Sequence, residues 1–104
     1  MSARVYVMTI PGGYIKVGMA TDVEARLKNI QTSNPHLVQV VYKSPKLSAD
    51  NARYLETMVH DALRPYRTRG EWFRVDPKVA IAKAVEMRRH LNNPAYDPNI
   101  PAPS

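Results

Sequence analysis

Two runs of β-branched and aromatic residues, separated by Pro-Gly-Gly, constrain the fold of the first part of the chain. The runs are RVYVMTI at residues 4–10 and YIKVG at residues 14–18. This composition favours β-strands, and Pro-Gly-Gly marks a tight turn between them. The sequence therefore predicts a β-hairpin at the start of the chain.

One face of this hairpin carries polar side chains. Alternation along the second strand places Tyr14, Lys16 and Gly18 together, opposite the apolar Ile15 and Val17. Tyr6 of the first strand joins that polar face across the hairpin. A solvated face is common in antiparallel sheets. The alternative is a functional surface where a phosphate backbone comes close to the chain.

Helical and extended segments alternate after the hairpin. Thr21 and Glu24 have the spacing of a capping box, and Ser48 or Asp50 can cap the following helix. The predicted elements are a helix over 21–32, a strand over 37–43, a helix over 50–64, a short extended piece over 72–75 and a helix over 77–91. The order β-β-α-β-α-(short β)-α predicts the α+β class, with a small three-stranded antiparallel sheet flanked by helices.

The chain of 104 residues suits one domain, predicted over residues 1–92. Residues 93–104 hold four of the nine prolines and are expected to form a disordered tail. The absence of cysteine excludes a disulfide framework and a zinc ribbon. We see no membrane span or signal peptide, and expect a cytoplasmic protein.

The charge balance indicates a polyanionic partner. Fifteen Lys and Arg stand against nine Asp and Glu, which gives a net charge of +6. Nucleic acid is the first candidate for a small basic domain, although a soluble protein can also be basic without binding any polyanion.

Arg26 lies at the edge of an apolar helix face. Val23, Leu27 and Ile30 fall within a narrow sector, and Arg26 lies about 60° from Val23 at the rim of the core. One interpretation is snorkelling, with the stem on apolar surface and the head in water. The other is a rigidly held guanidinium that grips a phosphate.

Glu56 and His60 are neighbours on the second predicted helix, because they are four residues apart. They can form an ordinary surface pair. Alternatively, the carboxylate binds a hard divalent cation and the histidine transfers protons.

Arginines and aromatic residues are interleaved after the second helix. Arg64, Arg67, Arg69 and Arg74 surround Trp72 in the sequence, a pattern that suits a nucleic-acid backbone with base stacking. In the alternative interpretation, Trp72 and its neighbour Phe73 anchor the core while the arginines are solvated.

Together these segments resemble the GIY-YIG nuclease superfamily, and most of all its DNA-binding branch named after a bacteriophage T5 open reading frame. The resemblance covers residues 4–75 and is carried by VYVM, YIKVG, the RL of the first helix, Glu56-x-x-x-His60 and RGEWF. It implies the small antiparallel sheet predicted above and hydrolysis of DNA phosphodiesters with a divalent metal.

The resemblance also implies roles for individual residues. Arg26 matches the arginine that stabilises charge on the scissile phosphate, and Glu56 matches the sole protein ligand of one Mg²⁺ or Mn²⁺ ion. Gly18 matches the glycine that lets the DNA backbone approach. The residues expected to act in catalysis are Tyr6, Tyr14, Lys16, Arg26 and His60. The residues expected to contact DNA are Gly18, Lys28, Arg64, Arg67, Arg69 and Arg74.

One departure keeps a second function open. Lys16 stands where the superfamily has a tyrosine that serves as general base or orients it. The chain is therefore interpreted as a metal-dependent endonuclease, with a non-catalytic DNA-binding module as the alternative. A third interpretation is a basic protein that binds an acidic protein partner. The sequence leaves open whether the chain is a monomer or a dimer.

Overall fold

The computed structural model describes residues 1–91, so the expected tail over 93–104 lies outside the described residues. The strands are β1 (Ser2–Ile10), β2 (Tyr14–Ala20), β3 (Gln39–Lys43), β4 (Leu47–Ser48), β5 (Arg67–Arg69) and β6 (Trp72–Arg74). The helices are α1 (Val23–Thr32), α2 (Ala49–Ala62) and α3 (Pro77–Leu91), and a 3-10 turn spans Arg64–Tyr66. The predicted α+β class is confirmed.

The sheet is larger than predicted. Residues 1–91 form a six-stranded antiparallel sheet in the order β3-β1-β2-β6-β5, with β4 paired to β1, so the prediction of a three-stranded sheet was wrong. The two strands that sequence analysis missed, β4 and β5, have only two and three residues. Segments this short contain too few alternations to give a strand signal.

The β1–β2 hairpin forms as predicted. Gly12 and Gly13 have φ angles of 98° and 83°, a region that residues with a side chain rarely adopt, so the Pro-Gly-Gly turn needs its glycines. The resulting register places Tyr6 opposite Gly18 and Met8 opposite Lys16. The turn therefore fixes the strand register, and with it the side chains that share the polar face of the hairpin.

The helix caps differ in part from the prediction. The carboxylate of Asp22 accepts a hydrogen bond from the Ala25 amide at 3.1 Å, so the predicted capping box at Thr21 was wrong by one residue. Ser48, one of the two predicted alternatives, caps α2 by accepting from the Asn51 amide at 3.1 Å. These caps fix where both site-bearing helices begin.

The two faces of the sheet are covered by different helices. Helices α2 and α3 pack on the face that contains Val5, Val7, Ile15 and Val17. Helix α1 packs on the opposite face, where the buried side chains include Tyr6 and Met8. No helix within residues 1–91 has the length and apolar character needed to cross a membrane.

Candidate functional site

The edge of β2 changes partner halfway along the strand. β6 pairs with β2 only over Tyr14–Lys16. Beyond that point, His60 of α2 donates a 2.6 Å hydrogen bond from Nε2 to the Val17 carbonyl. The Met19 amide donates to the Glu56 carboxylate, also from α2. Glu56 and His60, the pair predicted from their spacing, are thus anchored to the strand edge rather than free on the helix surface.

Tyr6 crosses over Gly18 on the α1 face of the sheet. The Tyr6 side chain is buried, with 1% of its surface exposed. A Cβ atom at residue 18 would lie 2.4 Å from the Tyr6 hydroxyl and 2.6 Å from its Cζ, closer than side-chain atoms pack. Glycine at this position therefore makes room for the tyrosine. Its expected contact with a DNA backbone stays a prediction.

Arg26 meets Tyr6 from α1. The guanidinium donates a hydrogen bond to the Tyr6 hydroxyl, and this contact raises the pKa of Arg26 above its ordinary value. Burial raises the pKa of the Tyr6 hydroxyl, against the opposing effect of the Arg26 hydrogen bond and charge. Tyr6 therefore keeps its proton at neutral pH and remains able to donate a hydrogen bond. Arg26 is otherwise exposed, so its head is accessible to a ligand.

Lys16 forms an ion pair with Glu71, the residue just before β6. The Nζ to Oε2 distance is 2.5 Å, and the exposed fractions of the two side chains are 10% and 41%. The same Nζ lies 5.7 Å from the centroid of the Trp72 ring, a cation–π distance. The ion pair and the ring contact hold the lysine head in one place beside α1, where it can contribute to the binding of an anion.

Glu71 links the remaining groups and was missed by sequence analysis. Its charge acts on Tyr6, Arg26 and Glu56. Burial raises the pKa of Glu56, and Glu71 raises it further, while His60, Lys16 and the Met19 amide lower it. The signal available in the sequence was that Glu71 is the single acidic residue between residues 64 and 75.

These side chains form one group, here called the polar cluster. Its members are Tyr6, Lys16, Arg26, Glu56 and Glu71. They come from β1, β2, α1, α2 and the β5–β6 turn, and they are linked in pairs: Tyr6 to Arg26, Lys16 to Glu71, and Glu71 to Glu56 through its charge. Glu56 stands at the β2 edge that β6 leaves uncovered, through its bond to the Met19 amide.

An open polar pocket of about 290 Å³ adjoins the polar cluster. Its lining includes Lys16 and Arg26, together with Asn29, Ser33, Asn34, Ile30 and Trp72. Two cationic groups and several hydrogen-bond donors on one open wall are suited to a phosphate group. We refer to it as the phosphate pocket.

Other residues predicted to act in the site lie apart from the polar cluster. Tyr14 packs its ring 5.8 Å from the Arg74 guanidinium. Arg64 forms an exposed ion pair with Asp61. Arg67 donates a 2.8 Å hydrogen bond to the Gly70 carbonyl, and Lys28 and Arg69 are exposed. The predicted DNA-contacting residues therefore spread over α1 and the segment from the 3-10 turn to β6.

Glu56 and Glu71 are the side chains best suited to hold a divalent metal ion. Within residues 1–91 no set of three His, Asp or Glu side chains is arranged as a complete ligand cage. Mg²⁺ does not need such a cage, because it binds through one or two carboxylates and keeps several waters. Glu71 raises the pKa of Glu56, so the two carboxylates act on each other electrostatically. The residues present thus fit a Mg²⁺ or Mn²⁺ ion.

Comparison with known proteins identifies the family to which the chain belongs. Residues 3–89 match the T5orf172 domain, and the chain belongs to that family. It is also 32% identical over 82 residues to the KilA-N domain-containing protein 315L of Invertebrate iridescent virus 6. That match covers 75% of this chain but 35% of the relative, so the chain spans about a third of that protein. No solved structure matches the chain significantly.

Proposed function

We propose that this domain binds DNA and hydrolyses its phosphodiester bonds with a divalent metal ion, as a GIY-YIG-type endonuclease. The main support is an open pocket lined by Arg26 and Lys16, with the Tyr6 hydroxyl bonded to Arg26 and the carboxylates of Glu71 and Glu56 interacting with Lys16. Membership of the T5orf172 family is consistent with a DNA-binding or nuclease-like domain. The net charge of +6 favours the same partner.

The chain's own residues supply binding and charge stabilisation. Arg26 and Lys16 grip the non-bridging oxygens of a phosphate, and the buried Tyr6 hydroxyl holds the Arg26 guanidinium in place by accepting its hydrogen bond. Glu56 and Glu71 would hold the metal ion, and the ion would supply Lewis-acid polarisation of the phosphate. His60 holds the strand edge through its bond to Val17, which fixes the position of Glu56 one turn earlier on α2.

Plasmid nicking by the purified protein tests the proposal. We expect nicking of supercoiled DNA with Mg²⁺ or Mn²⁺, none with EDTA, and none by Glu56→Ala. Glu86→Ala serves as the matched control, because Glu86 is an exposed carboxylate on α3 outside the polar cluster. Nicking that persists in Glu56→Ala at the wild-type rate would contradict the assignment of the metal ligand.

One observation favours a second candidate function, a DNA-binding module without efficient cleavage. Lys16 is committed to an ion pair with Glu71, where the superfamily has a tyrosine near the reacting water. Salt-sensitive DNA binding without nicking in either metal supports this module. Absence of DNA binding would instead support the basic protein that recognises an acidic protein partner.

A further inference from the structure

A second and less polar pocket lies directly beside the phosphate pocket. It is a shallow and open hollow of about 520 Å³, and it is lined by Ile10, Tyr14, Asn34, Thr68, Arg69 and Trp72. Asn34 and Trp72 also line the phosphate pocket, so the two spaces are neighbours. We call the second space the aromatic pocket.

The sheet holds both aromatic walls of this pocket in place. Trp72 pairs with Lys16 and Tyr14 pairs with Arg74 across the β2–β6 ladder, so the two rings are diagonal neighbours on the α1 face. Trp72 also packs against the apolar cluster under α1, and its carbonyl accepts a 3.1 Å hydrogen bond from the Thr68 hydroxyl. Both rings are half-buried, which leaves part of each accessible.

The chemistry of the aromatic pocket matches a flat heteroaromatic ring with a polar edge. Tyr14 and Trp72 offer stacking surfaces, while Asn34, Thr68 and Arg69 bring hydrogen-bonding groups to its rim. Aromatic platforms of this type bind nucleobases with little dependence on sequence. The cations Lys16 and Arg26 in the adjoining pocket indicate that the bound ring is linked to an anionic group.

We propose that the aromatic pocket binds one unpaired nucleobase of DNA while a neighbouring phosphate of the same strand occupies the phosphate pocket. The inference rests on the proposed function and adds a substrate class to it. A base within a regular duplex has both faces stacked on its neighbours and cannot enter the aromatic pocket. The preferred substrates are therefore DNA molecules with a bulge, gap or single-stranded end.

Two duplexes with the same number of phosphates provide the test. One carries a single bulged adenine, and the other carries an abasic residue at the same position. We expect the full chain to bind the bulged-base duplex about 10- to 100-fold more tightly, the range that stacking of one base supplies. Trp72 is the chain's single tryptophan, so quenching of its fluorescence by the base reports stacking in the wild-type protein.

Variants separate stacking from general DNA affinity. Tyr14→Ala is expected to reduce the discrimination at least several-fold with little change in binding to the abasic duplex. Tyr54→Ala is the matched control, because this partly exposed tyrosine lies on α2 and lines neither pocket. Equal affinity for both duplexes, with no quenching of Trp72, overturns the inference and leaves DNA binding intact. No binding to either duplex overturns the proposed function as well.

Discussion

The two faces of the sheet differ in what they bury. The face under α2 and α3 buries an apolar core that includes Leu55, Val59 and Phe73. The face under α1 buries fewer apolar side chains and also buries Tyr6 and most of Lys16. We infer that the face under α2 and α3 supplies most of the stability. The face under α1 can therefore hold polar groups that an apolar core would normally exclude.

The polar groups on the α1 face remain tolerable because each has a partner. Lys16 is neutralised by Glu71, and the Tyr6 hydroxyl meets Arg26. Buried polar groups cost stability mainly when such partners are missing. The comparison therefore predicts different consequences when each face is altered.

Truncation of a buried side chain on the apolar face, under α2 and α3, should lower the stability of the protein most. Leu55 is fully buried in the core under α2, so Leu55→Ala is expected to lower the free energy of unfolding by about 2–5 kcal/mol. Leu27 of α1 is half-buried, and Leu27→Ala should cost clearly less. Urea denaturation of both variants measures the difference. Equal losses would mean that the two faces contribute alike.

Removal of the guanidinium at position 26 should affect activity more than stability. Arg26 is exposed apart from its contact with Tyr6, so Arg26→Ala is expected to fold and to lose about 1–3 kcal/mol of unfolding free energy, because the buried Tyr6 hydroxyl loses a hydrogen-bond partner. If the guanidinium stabilises charge on the scissile phosphate, nicking should fall about 10²–10³-fold. Arg89→Ala on α3 is the control, and its nicking rate should match the wild type.

The sequence predicted those parts of the fold that depend on local patterns. The hairpin follows from Pro-Gly-Gly between two alternating runs, and the helices follow from their apolar spacing. That Arg26 and Glu56 belong to one site was expected only through a family resemblance, and in the structure both charges act on Tyr6. No local pattern reveals that Glu56 bonds to a strand edge, because that edge exists only where β6 stops pairing with β2.

Glu71 shows why the rest of the cluster could not be predicted. It follows a segment of arginines and precedes an aromatic pair, a context that also suits an ordinary exposed loop. Its importance comes from the three-residue strand β6, which pairs Trp72 with Lys16 and thereby brings Glu71 to the lysine. A pairing this short leaves no signal of its own in the sequence.

Addition of a methyl group at position 18 should destabilise the protein, although the change is small. Because its Cβ would lie 2.4 Å from the Tyr6 hydroxyl, Gly18→Ala is expected to cost about 1–3 kcal/mol of unfolding free energy. In a Tyr6→Leu background, which lacks the overlapping atoms, the same change should cost less. A double-mutant cycle measures this coupling. Additive effects would show that the glycine does not make room for the tyrosine.

The raised pKa of Glu56 predicts a direction for the pH dependence of stability. Because the folded protein binds this proton more tightly than the unfolded chain, ΔG of unfolding should decrease as pH rises from the ordinary value of 4.5 through the folded pKa. Glu56→Gln removes this decrease, so in EDTA its stability relative to wild type should increase with pH over that window. His60, Lys16 and Glu71 face the same carboxylate and are unchanged in the comparison.

Urea denaturation at a series of pH values measures the stability of the wild type and of Glu56→Gln. If the two stabilities change with pH in the same way, the prediction is wrong. The comparison isolates Glu56 because the amide keeps nearly the same shape and cannot titrate.

The smallest effects are expected from the exposed arginines around β5 and β6. Arg69 is exposed, so Arg69→Gln should change the free energy of unfolding by no more than about 0.5 kcal/mol. If its guanidinium neutralises one DNA phosphate, the slope of log K against log salt should become shallower by about 0.9. Binding titrations between low and moderate salt measure that slope.

Arg89→Gln provides the reference for this last measurement, because it removes the same charge from α3 at the other side of the fold. A general attraction between a basic protein and DNA would make the two substitutions equivalent. If DNA follows a defined path across the α1 face and the β5–β6 segment, Arg69→Gln should reduce the salt slope and Arg89→Gln should leave it unchanged. The salt slope thus distinguishes a located interface from net charge, even where neither arginine affects stability.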